Sequence, residues 1–296
     1  MTPETRSGFV ALAGRPNVGK STLVNTVVGE KVAIVSDRPQ TTRRAIRGVC
    51  TRAHSQIVLV DLPGVQRPRD ALTERMAGRV ERELDGADTA LLILNGQQGV
   101  GPGDRFIASL LAGAAPTVTI VVNKIDRLDR AHTAAVLQQA GELELDGEIY
   151  PVSARTGVGV RELVEHLHGL MPAGPFMFAA EERSDQPLGL LLGELVREAV
   201  IRRTRQEVPH AVEVVVEEIE RPRAGLARVR ALIWVESDSQ KGIVVGAGGR
   251  MIKAIGTAAR KELERELACQ VHLDLSVRVR RDWRADEGLL DRLGIT

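Results

Sequence analysis

The feature that most constrains this chain is an eight-residue motif, Gly14-Arg-Pro-Asn-Val-Gly-Lys-Ser21. It follows an apolar run, Phe9–Ala13, and precedes a helix-like pattern that starts at Thr22. Strand, glycine-rich loop and helix in this order are what a phosphate-binding P-loop requires. The glycines let successive backbone N–H groups face one phosphate chain, and the helix points its positive N-terminus at the same anion. The motif predicts a nucleoside triphosphate site but does not identify the base.

Two side chains of this motif have predicted roles. Lys20 is expected to reach the β- and γ-phosphates as a point charge, and Ser21 to place its hydroxyl on Mg²⁺. The residues of this stretch predicted to contact nucleotide are Gly14, Arg15, Pro16, Asn17, Val18, Gly19, Lys20, Ser21 and Thr22. A chance glycine-rich turn is the alternative, and the complete motif between a strand and a helix argues against it.

Apolar runs alternate with helix-like segments from residue 8 to about residue 170. Several runs are continuously apolar, as in a parallel sheet that is covered on both faces. The predicted strands are Phe9–Ala13, Lys31–Val35, Ile57–Val60, Ala90–Leu94, Val118–Val122 and Ile149–Val152. The sequence therefore predicts an α/β domain over residues 1–172, with a mostly parallel sheet, helices on both faces and binding loops at the carboxyl ends of the strands.

A second motif, Asp61-Leu62-Pro63-Gly64, follows the predicted strand Ile57–Val60. In a P-loop enzyme an Asp at this place lies near Mg²⁺, and the glycine N–H meets the γ-phosphate. Alone, these four residues would be read as a common turn. Their place at a strand end after a P-loop favours the nucleotide site.

The base is predicted from Asn123-Lys124-Ile-Asp126, which ends the strand Val118–Val122. The Asp126 carboxylate can accept two hydrogen bonds from the N1 and N2 edge of guanine, and adenine offers no such donor pair. Lys124 can cover the base, and Asn123 can tie this loop to the P-loop. Ser153-Ala154, at the end of the next strand, can offer a backbone N–H to the guanine O6. The predicted ligand is therefore GTP or GDP.

The polar stretch from Ser36 to Arg47 falls where a nucleotide-dependent switch loop belongs. Thr42, with Thr41 as the alternative, is expected to put a hydroxyl on Mg²⁺ when the γ-phosphate is present. A basic surface loop that does not switch is the other interpretation.

Composition limits the possible partners and compartments. The chain is 43% hydrophobic, 27% charged and only 2% aromatic, with a net charge of +1, so any nucleic-acid site must be a local patch. Cys50 and Cys269 stand apart from any Cys/His cluster, which favours two reduced, buried thiols over a zinc site. The six histidines are read as structural or surface residues. Without an apolar leader or a membrane-spanning run, we expect a cytoplasmic protein.

The second half of the chain predicts a different domain after a linker at residues 173–187. A helix is expected from about Leu188 to Glu207, ended by Pro209. Strands Ala211–Ile219 and Ala227–Val235 follow, then a helix, a loop, a long helix from Ile252 to Leu267 and a last strand with alternating apolar residues. This order over residues 188–296 is that of an α+β type II KH domain, an RNA-binding module.

The loop Gly246-Ala247-Gly248-Gly249 is the predicted RNA contact, because small residues between two helices let an RNA backbone approach. Residues 241–284 carry ten Lys/Arg and five Asp/Glu, a local basic excess. Lys261 and Arg265 are explained by pairing with neighbouring glutamates on a solvated helix face. The other predicted RNA contacts are Arg250, Lys253, Arg278, Arg280 and Arg281.

The ordered motifs GRPNVGKS, QTTR, DLPG, NKID and VSA resemble those of the translation-factor-like GTPases, and in particular the bacterial Era family. The closing Val277-Arg-Val-Arg-Arg-Asp-Trp283 also resembles that family's KH domain, so the resemblance covers nearly the whole chain. Leu62 and Ala247 depart from the usual Thr and Lys of the family. Ala247 removes a phosphate contact, which Arg250 could supply.

This resemblance implies a GTPase that binds 16S ribosomal RNA and assists assembly of the 30S subunit, and we expect it to act as a monomer. The predicted catalytic residues are Lys20, Asn17 and Thr42, and the Mg²⁺ ligands are Ser21, Thr42 and Asp61. Asn17 matches an asparagine that helps to hold K⁺ in related GTPases. Val65 stands where Ras-like enzymes have a glutamine, so it is not assigned to catalysis. Membrane association cannot be read from the sequence.

Two alternatives stay open at this stage. One is an RNA-binding assembly chaperone that senses GTP with little turnover, and intact Lys20, Ser21 and Asp61 argue against it. The other is a related GTPase of tRNA modification or of the large ribosomal subunit, and the KH-like half argues against that.

Overall fold

The computed structural model describes residues 5–38, 41–65, 70–114 and 117–295. The chain forms two compact units. The first comprises Met1–Ala33, Thr42–Arg69 and Thr73–Asp185, and the second Ile34–Thr41, Asp70–Leu72 and Gln186–Thr296. Pro39 and Gln40, part of the predicted switch stretch, lie outside the described residues.

The first unit is built on a six-stranded sheet. Its strands are β1 (Arg6–Ala13), β2 (Ile46–Thr51), β3 (Ser55–Asp61), β4 (Thr89–Asn95), β5 (Val118–Asn123) and β6 (Ile149–Pro151). Its helices are α1 (Lys20–Val28), α2 (Ala71–Asp85), α3 (Pro102–Ala114), α4 (Arg130–Gly141) and α5 (Val160–Leu170). The strand order is β2-β3-β1-β4-β5-β6, and only β2 pairs antiparallel. The predicted mostly parallel sheet is confirmed.

Both faces of this sheet are covered, which explains its continuously apolar strands. Val10 and Leu12 of β1 face one buried cluster, whereas Ala11 and Ala13 face another. Because neighbouring residues of a strand point to opposite faces, a strand buried on both sides cannot alternate apolar with polar residues. The carboxyl ends of β1, β3 and β5 then lead into the predicted motifs.

The predicted strand Lys31–Val35 is wrong. These residues form no strand, and the second strand of the unit is β2, which the sequence interpretation had placed partly in a loop. The side chain of Asn25 takes the hydrogen bonds that a neighbouring strand would otherwise make. Its Oδ1 accepts from the N–H groups of Val32 and Ala33, each at 2.9 Å, and its Nδ2 donates to the Ala33 carbonyl at 2.7 Å. The apolar residues of this run are therefore buried without pairing in a sheet.

The second unit confirms the predicted KH domain. Its helices are α6 (Leu188–Arg203), α7 (Val208–Ala211), α8 (Asp238–Val245), α9 (Arg250–Leu267) and α10 (Glu287–Arg292). Its strands are β7 (Glu213–Arg223), β8 (Leu226–Val235) and β9 (Gln270–Val279), with β7–β8 antiparallel and β8–β9 parallel. Helix α6 ends earlier than predicted, at Arg203, and Pro209 lies within α7 instead of ending α6.

The stretch Ile34–Thr41, read from sequence as part of a loop in the nucleotide domain, groups with the second unit. Ile34 is buried in the apolar core of that unit. The Glu198 carboxylate of α6 accepts from the Val35 N–H at 3.0 Å, and Arg197 donates to the Thr41 carbonyl. Apolar burial together with buried charged groups on α6 therefore holds Ile34, Val35 and Thr41 in place.

The first part of the predicted linker packs on the first unit. Gln56 of β3 accepts from the N–H groups of Met177 and Phe178 at 2.8 and 3.0 Å, and Val49 of β2 donates to the Arg183 carbonyl at 2.9 Å. The division between the units falls at residues 185 and 186.

Cys50 and Cys269 are free thiols. Both are half-buried, whereas the sequence predicted that they would be buried. Burial raises the pKa of the Cys50 thiol. Across the described residues, no helix combines the length and the apolar character needed to cross a bilayer.

We expect His168 of α5 to make the stability of the first unit depend on pH. Its side chain is 7% exposed, its Nδ1 lies 2.7 Å from the Ser55 hydroxyl, and burial lowers its pKa to about 4, with Arg52 adding to the shift. The unfolded residue titrates near 6.5. Between pH 6.5 and 4 the unfolded state therefore binds more protons, so stability falls as pH falls through that window.

We predict that His168→Gln flattens the pH dependence of unfolding between pH 6.5 and 4, by about 1–2 kcal/mol at pH 5. Urea denaturation at pH 7 and pH 5 measures the difference. His54→Gln, at an exposed histidine, is the control. An equal fall in stability for wild type and His168→Gln would contradict the assignment.

Candidate functional site

The P-loop connects β1 to α1. Lys20 is the first residue of α1, and Gly19 before it has φ +105°, a conformation that favours glycine. A Cβ at position 19 would also lie 2.3 Å from the Asn123 amide nitrogen. This position therefore requires glycine both for its backbone angle and for the close approach of β5.

Lys20 is held inside the loop. Its side chain is buried, and Nζ donates to the carbonyls of Gly14 and Arg15 at 3.1 and 3.2 Å. Burial lowers the pKa of Lys20 to about 8, and the nearby Asp61 carboxylate opposes that shift. The ammonium is thus fixed where the loop encloses a phosphate, so little of its flexibility remains to be lost on binding.

Ser21, Thr42 and Asp61 converge on one point beside Lys20. The Ser21 hydroxyl donates to Asp61 Oδ2 at 2.5 Å and lies 3.1 Å from the Thr42 hydroxyl, which is 3.4 Å from the same carboxylate oxygen. Asp61 is fully buried, and burial raises its pKa, while Lys20 and the two hydroxyls oppose the shift. Asp61 Oδ1 makes no hydrogen bond to any described residue. Three hard oxygen donors with a spare buried carboxylate oxygen suit Mg²⁺.

The structure separates the two candidate threonines. Thr42 lies beside Ser21 and Asp61, whereas the Thr41 hydroxyl donates to the Arg38 carbonyl at 2.7 Å. Gly64 packs against the P-loop, since a Cβ there would lie 2.9 Å from Pro16 Cγ. Val65 donates its backbone N–H to the Gly14 carbonyl at 3.4 Å.

Asn123, at the end of β5, joins three loops. Its amide nitrogen donates to the Val18 carbonyl at 2.8 Å, and its Oδ1 accepts from the N–H groups of Lys124 and Ala154 at 2.7 and 2.9 Å. Lys124 has φ +68° and donates to the Asn17 carbonyl at 2.6 Å. The predicted base-binding segments are therefore tied directly to the P-loop.

The Asp126 carboxylate is a hydrogen-bond acceptor that two neighbouring side chains hold in place. Ser153 donates to Oδ1 at 2.7 Å, and Arg155 lies 2.6 Å from Oδ2. These contacts, with the Ser153 hydrogen bond the largest, lower the pKa of Asp126. An ionised carboxylate is an acceptor only, which is the property that the N1–H and N2–H edge of guanine requires. The sequence interpretation did not include Arg155.

Two P-loop side chains are placed for reasons that the motif does not reveal. Arg15 points away from the Lys20 pocket to Asp104 of α3, at 2.9 Å, and to Gln98, at 3.1 Å. Asp104 is completely buried, so this pair anchors the loop to α3. Asn17 has φ +64°, a left-handed conformation that Asn tolerates better than most residues.

The GxxG loop of the second unit joins α8 to α9. Gly246, Gly248 and Gly249 all have positive φ, whereas Ala247 does not, so Ala is accommodated there without backbone strain. A Cβ at Gly246 would lie 2.6 Å from Met251 Cβ. Ala247 and Gly248 are exposed, which leaves their backbone open to a ligand.

The basic residues predicted to bind RNA fall on two faces. Arg250 and Lys253 are exposed on the first turns of α9. Leu275 of β9 faces α9, because its Cδ1 would lie 3.4 Å from a Cβ placed on Gly256 of that helix. Arg278 is three residues further along the strand, so it points to the opposite face of the sheet. Arg280 shares that face and lies over the Trp234 ring at 5.9 Å. The structure therefore does not bring Arg278 and Arg280 together with the GxxG loop.

The remaining candidates have simpler placements. Arg281 is exposed and lies 4.0 Å from the Asp238 carboxylate. Thr22 is half-buried in the first turn of α1. Leu62 is buried in the core cluster that also holds Ala11 and Val60, which accounts for its apolar character.

Comparison with known families matches each unit separately. A family model described as "50S ribosome-binding GTPase" matches residues 9–124, and a KH domain model matches residues 207–284.

Curated relatives match nearly the whole chain. GTPase Era of Mycobacterium sp. (strain KMS) is 45% identical over 98% of this chain and 99% of its own length. GTPase Era of Mycobacterium tuberculosis (strain ATCC 25177 / H37Ra) is 45% identical with the same coverage.

Solved structures match both units at once. Era in complex with MgGDPNP and nucleotides 1506–1542 of 16S ribosomal RNA aligns with a TM-score of 0.93 at 35% identity, covering 99% of each chain. A point variant of Aquifex aeolicus Era bound to GDP·AlF4⁻ aligns with a TM-score of 0.94 at 34% identity, covering 99% of this chain and 100% of its own. Since the similarity runs through the nucleotide-binding unit and the KH unit alike, the chain belongs to the Era family of GTPases.

Proposed function

We propose that this GTPase is a Mg²⁺-dependent switch that binds 16S ribosomal RNA through its KH unit and assists assembly of the 30S subunit. The observation that carries the proposal is the full-length similarity to an Era structure that holds MgGDPNP and a 16S rRNA fragment together. An exposed GxxG loop on a KH fold supports the RNA-binding part.

The geometry supports a triphosphate site with Mg²⁺ held by Ser21, Thr42 and Asp61. When bound, the metal supplies positive charge to the phosphate oxygens. Lys20 adds a second fixed charge, and the loop N–H groups and the start of α1 add partial charges. The protein's contribution to attack of water on the γ-phosphate is therefore positioning and charge neutralisation, as in other phosphoryl-transfer enzymes.

Thr42 links this chemistry to switching. Its hydroxyl lies within hydrogen-bond distance of Ser21 and Asp61, so a ligand that engages these groups also orders the backbone at residue 42. Loss of the γ-phosphate would release that contact, as in GTPase switches in general. The GTP-bound and GDP-bound forms would then differ in how residues around Thr42 are held.

Asn17 is proposed to help hold K⁺ near the phosphates, and its left-handed backbone dictates the variant that tests this role. Asn17→Ala would combine side-chain loss with backbone strain, whereas Asn17→Gly removes the side chain and keeps the conformation accessible. We expect wild type to hydrolyse GTP about tenfold faster in KCl than in NaCl at equal ionic strength, with the difference lost in Asn17→Gly. Equal wild-type rates in both salts would rule out the K⁺ role.

The RNA partner is tested by crosslinking the protein to RNA in growing cells and sequencing the fragments. We expect the 3′ end of 16S rRNA to dominate, and an excess of 30S precursors when the protein is depleted. Recovery of mainly tRNA or 23S rRNA would overturn the proposal while leaving the GTPase assignment intact.

A further inference from the structure

A basic groove lies on the second unit between α6 and α9, apart from the sheet face that carries Arg278 and Arg280. It has a volume of about 550 Å³, and its lining residues are Arg203, Arg250, Lys253, Ala254, Thr257, Ala258, Lys261 and Glu262. Four cations and one carboxylate give it a net positive charge of three. We propose that this groove binds phosphates of the RNA backbone, extending the contact made by the GxxG loop.

The groove is continuous with the loop. Arg250, the first residue of α9, follows Gly249 directly, and Arg250, Lys253, Thr257 and Lys261 are spaced three, four and four residues apart. That spacing places them on one face of the helix. At 1.5 Å of rise per residue this row of four side chains is ~16 Å long. An RNA strand that leaves the GxxG loop can therefore place several phosphates along it.

The floor of the groove is lined by small residues, and three of its cationic side chains form no ion pair with a described carboxylate. Ala254 and Ala258 lie between the charged residues of the row, so a sugar–phosphate backbone can approach the helix closely. No carboxylate of a described residue lies within ion-pair distance of Arg203, Lys253 or Lys261, whereas Arg260 and Arg265 of the same helix pair with Glu264 and Glu262. Lys261, explained from sequence as part of such pairs, is thus directed to the groove instead.

Arg203 brings a cation from outside α9. It is the last residue of α6 and is exposed, and its Nη1 donates to the Ala199 carbonyl at 3.3 Å. Sequence inspection could not connect it with Lys261, which lies 58 positions later in the chain. The lining contains no large apolar side chain for insertion into a lipid bilayer, which favours RNA over an anionic membrane surface.

The groove contact rests on the proposed RNA-binding function, and the experiment separates the two. Fluorescence anisotropy would measure binding of two RNAs from the 3′ end of 16S rRNA to the full chain. One has about four nucleotides, enough for a GxxG loop, and the other extends well beyond it. The test variant is Arg203→Ala/Lys261→Ala, and Arg228→Ala/Arg260→Ala removes the same charge elsewhere on the unit.

We expect the groove variant to bind the longer RNA about 25-fold more weakly than wild type near 0.1 M salt, with a salt slope smaller by about 1.4, the value for two single-strand phosphate contacts. The short RNA and the control variant should change little, and Arg203→Lys/Lys261→Arg should retain affinity. Equal losses of RNA affinity in the groove and control variants would overturn the inference. So would a groove variant that binds RNA like wild type but binds vesicles containing phosphatidylglycerol more weakly. Failure of wild type to bind either RNA would instead reject the proposed function.

Discussion

Replacing Asp126 with asparagine will transfer the nucleotide preference of this GTPase from GTP to XTP. In the proposed site the carboxylate would offer acceptors to the N1–H and N2–H groups of guanine, and its interactions with Ser153 and Arg155, which lower its pKa, favour the ionised form. An asparagine amide loses acceptors and gains donors, which suits the carbonyl at C2 of xanthine. Loss of two hydrogen bonds to a charged group predicts a fall in GTP affinity of about 10²–10⁴-fold.

The neighbouring sequence provides a matched control. Asp129 is an exposed carboxylate that caps α4, accepting from the His132 N–H at 2.8 Å. Asn is an equally good capping residue, so Asp129→Asn should leave both stability and nucleotide choice unchanged. Direct titration of each protein with fluorescent GTP and with fluorescent XTP measures the ratio of the two affinities. An unchanged ratio in Asp126→Asn would mean that the base binds elsewhere.

Replacing Lys20 with methionine will abolish measurable GTP hydrolysis, with a loss of at least about 10²–10³-fold in kcat/KM. The ammonium is already fixed by the carbonyls of Gly14 and Arg15, so its interaction with phosphate is pre-organised. Single-turnover assays with saturating enzyme, with and without RNA, separate this loss from weaker binding. Hydrolysis at the wild-type rate would place the catalytic charge elsewhere.

The fold of Lys20→Met can be checked independently of activity. Burial disfavours the charged lysine, as its lowered pKa indicates, but removal of the ammonium also leaves buried Asp61 and the carbonyls of Gly14 and Arg15 without their partner. The melting temperature of the nucleotide-free variant is therefore measured beside that of wild type. The rise in melting temperature on adding GTP should, however, largely disappear, because that rise reports binding to the folded state. A variant that already melts at the assay temperature would have lost activity through unfolding.

Much of the candidate nucleotide site was predictable because it is made of short motifs, most of which lie at strand ends. The P-loop and the Asn123 loop each follow a buried strand and Ser153 follows the half-buried β6, and parallel strands bring such loops to one edge. The sequence favoured Thr42 but left Thr41 as the alternative, since adjacent residues in a loop have no periodicity that separates them. Their side chains turn to different partners, Arg38 and Asp61.

Other features depend on pairings between distant residues. The contact of Arg15 with buried Asp104 joins residues 89 positions apart, and no local pattern marks it. The run Lys31–Val35 resembles a strand because its central residues are apolar and buried, but the Asn25 side chain makes the hydrogen bonds of Val32 and Ala33. Likewise, Arg278 of β9 and Arg280 just after it alternate with apolar residues as in a strand, yet only the packing of Leu275 against α9 reveals which face they occupy.

The hydrogen bonds of Asn123 have a consequence for how the two ends of a nucleotide are recognised. The Asn123 side chain is hydrogen-bonded both to Val18 of the P-loop and to Ala154 of the proposed base-binding loop. Ordering one loop therefore orders the other, and the entropic cost of fixing both arises only once when a nucleotide binds. Guanosine alone, or pyrophosphate alone, would incur the same entropic cost of ordering both loops but would gain the contacts of only one of them. The free energy of GTP binding should therefore be more favourable than the sum for its fragments, which makes recognition cooperative within a single ligand.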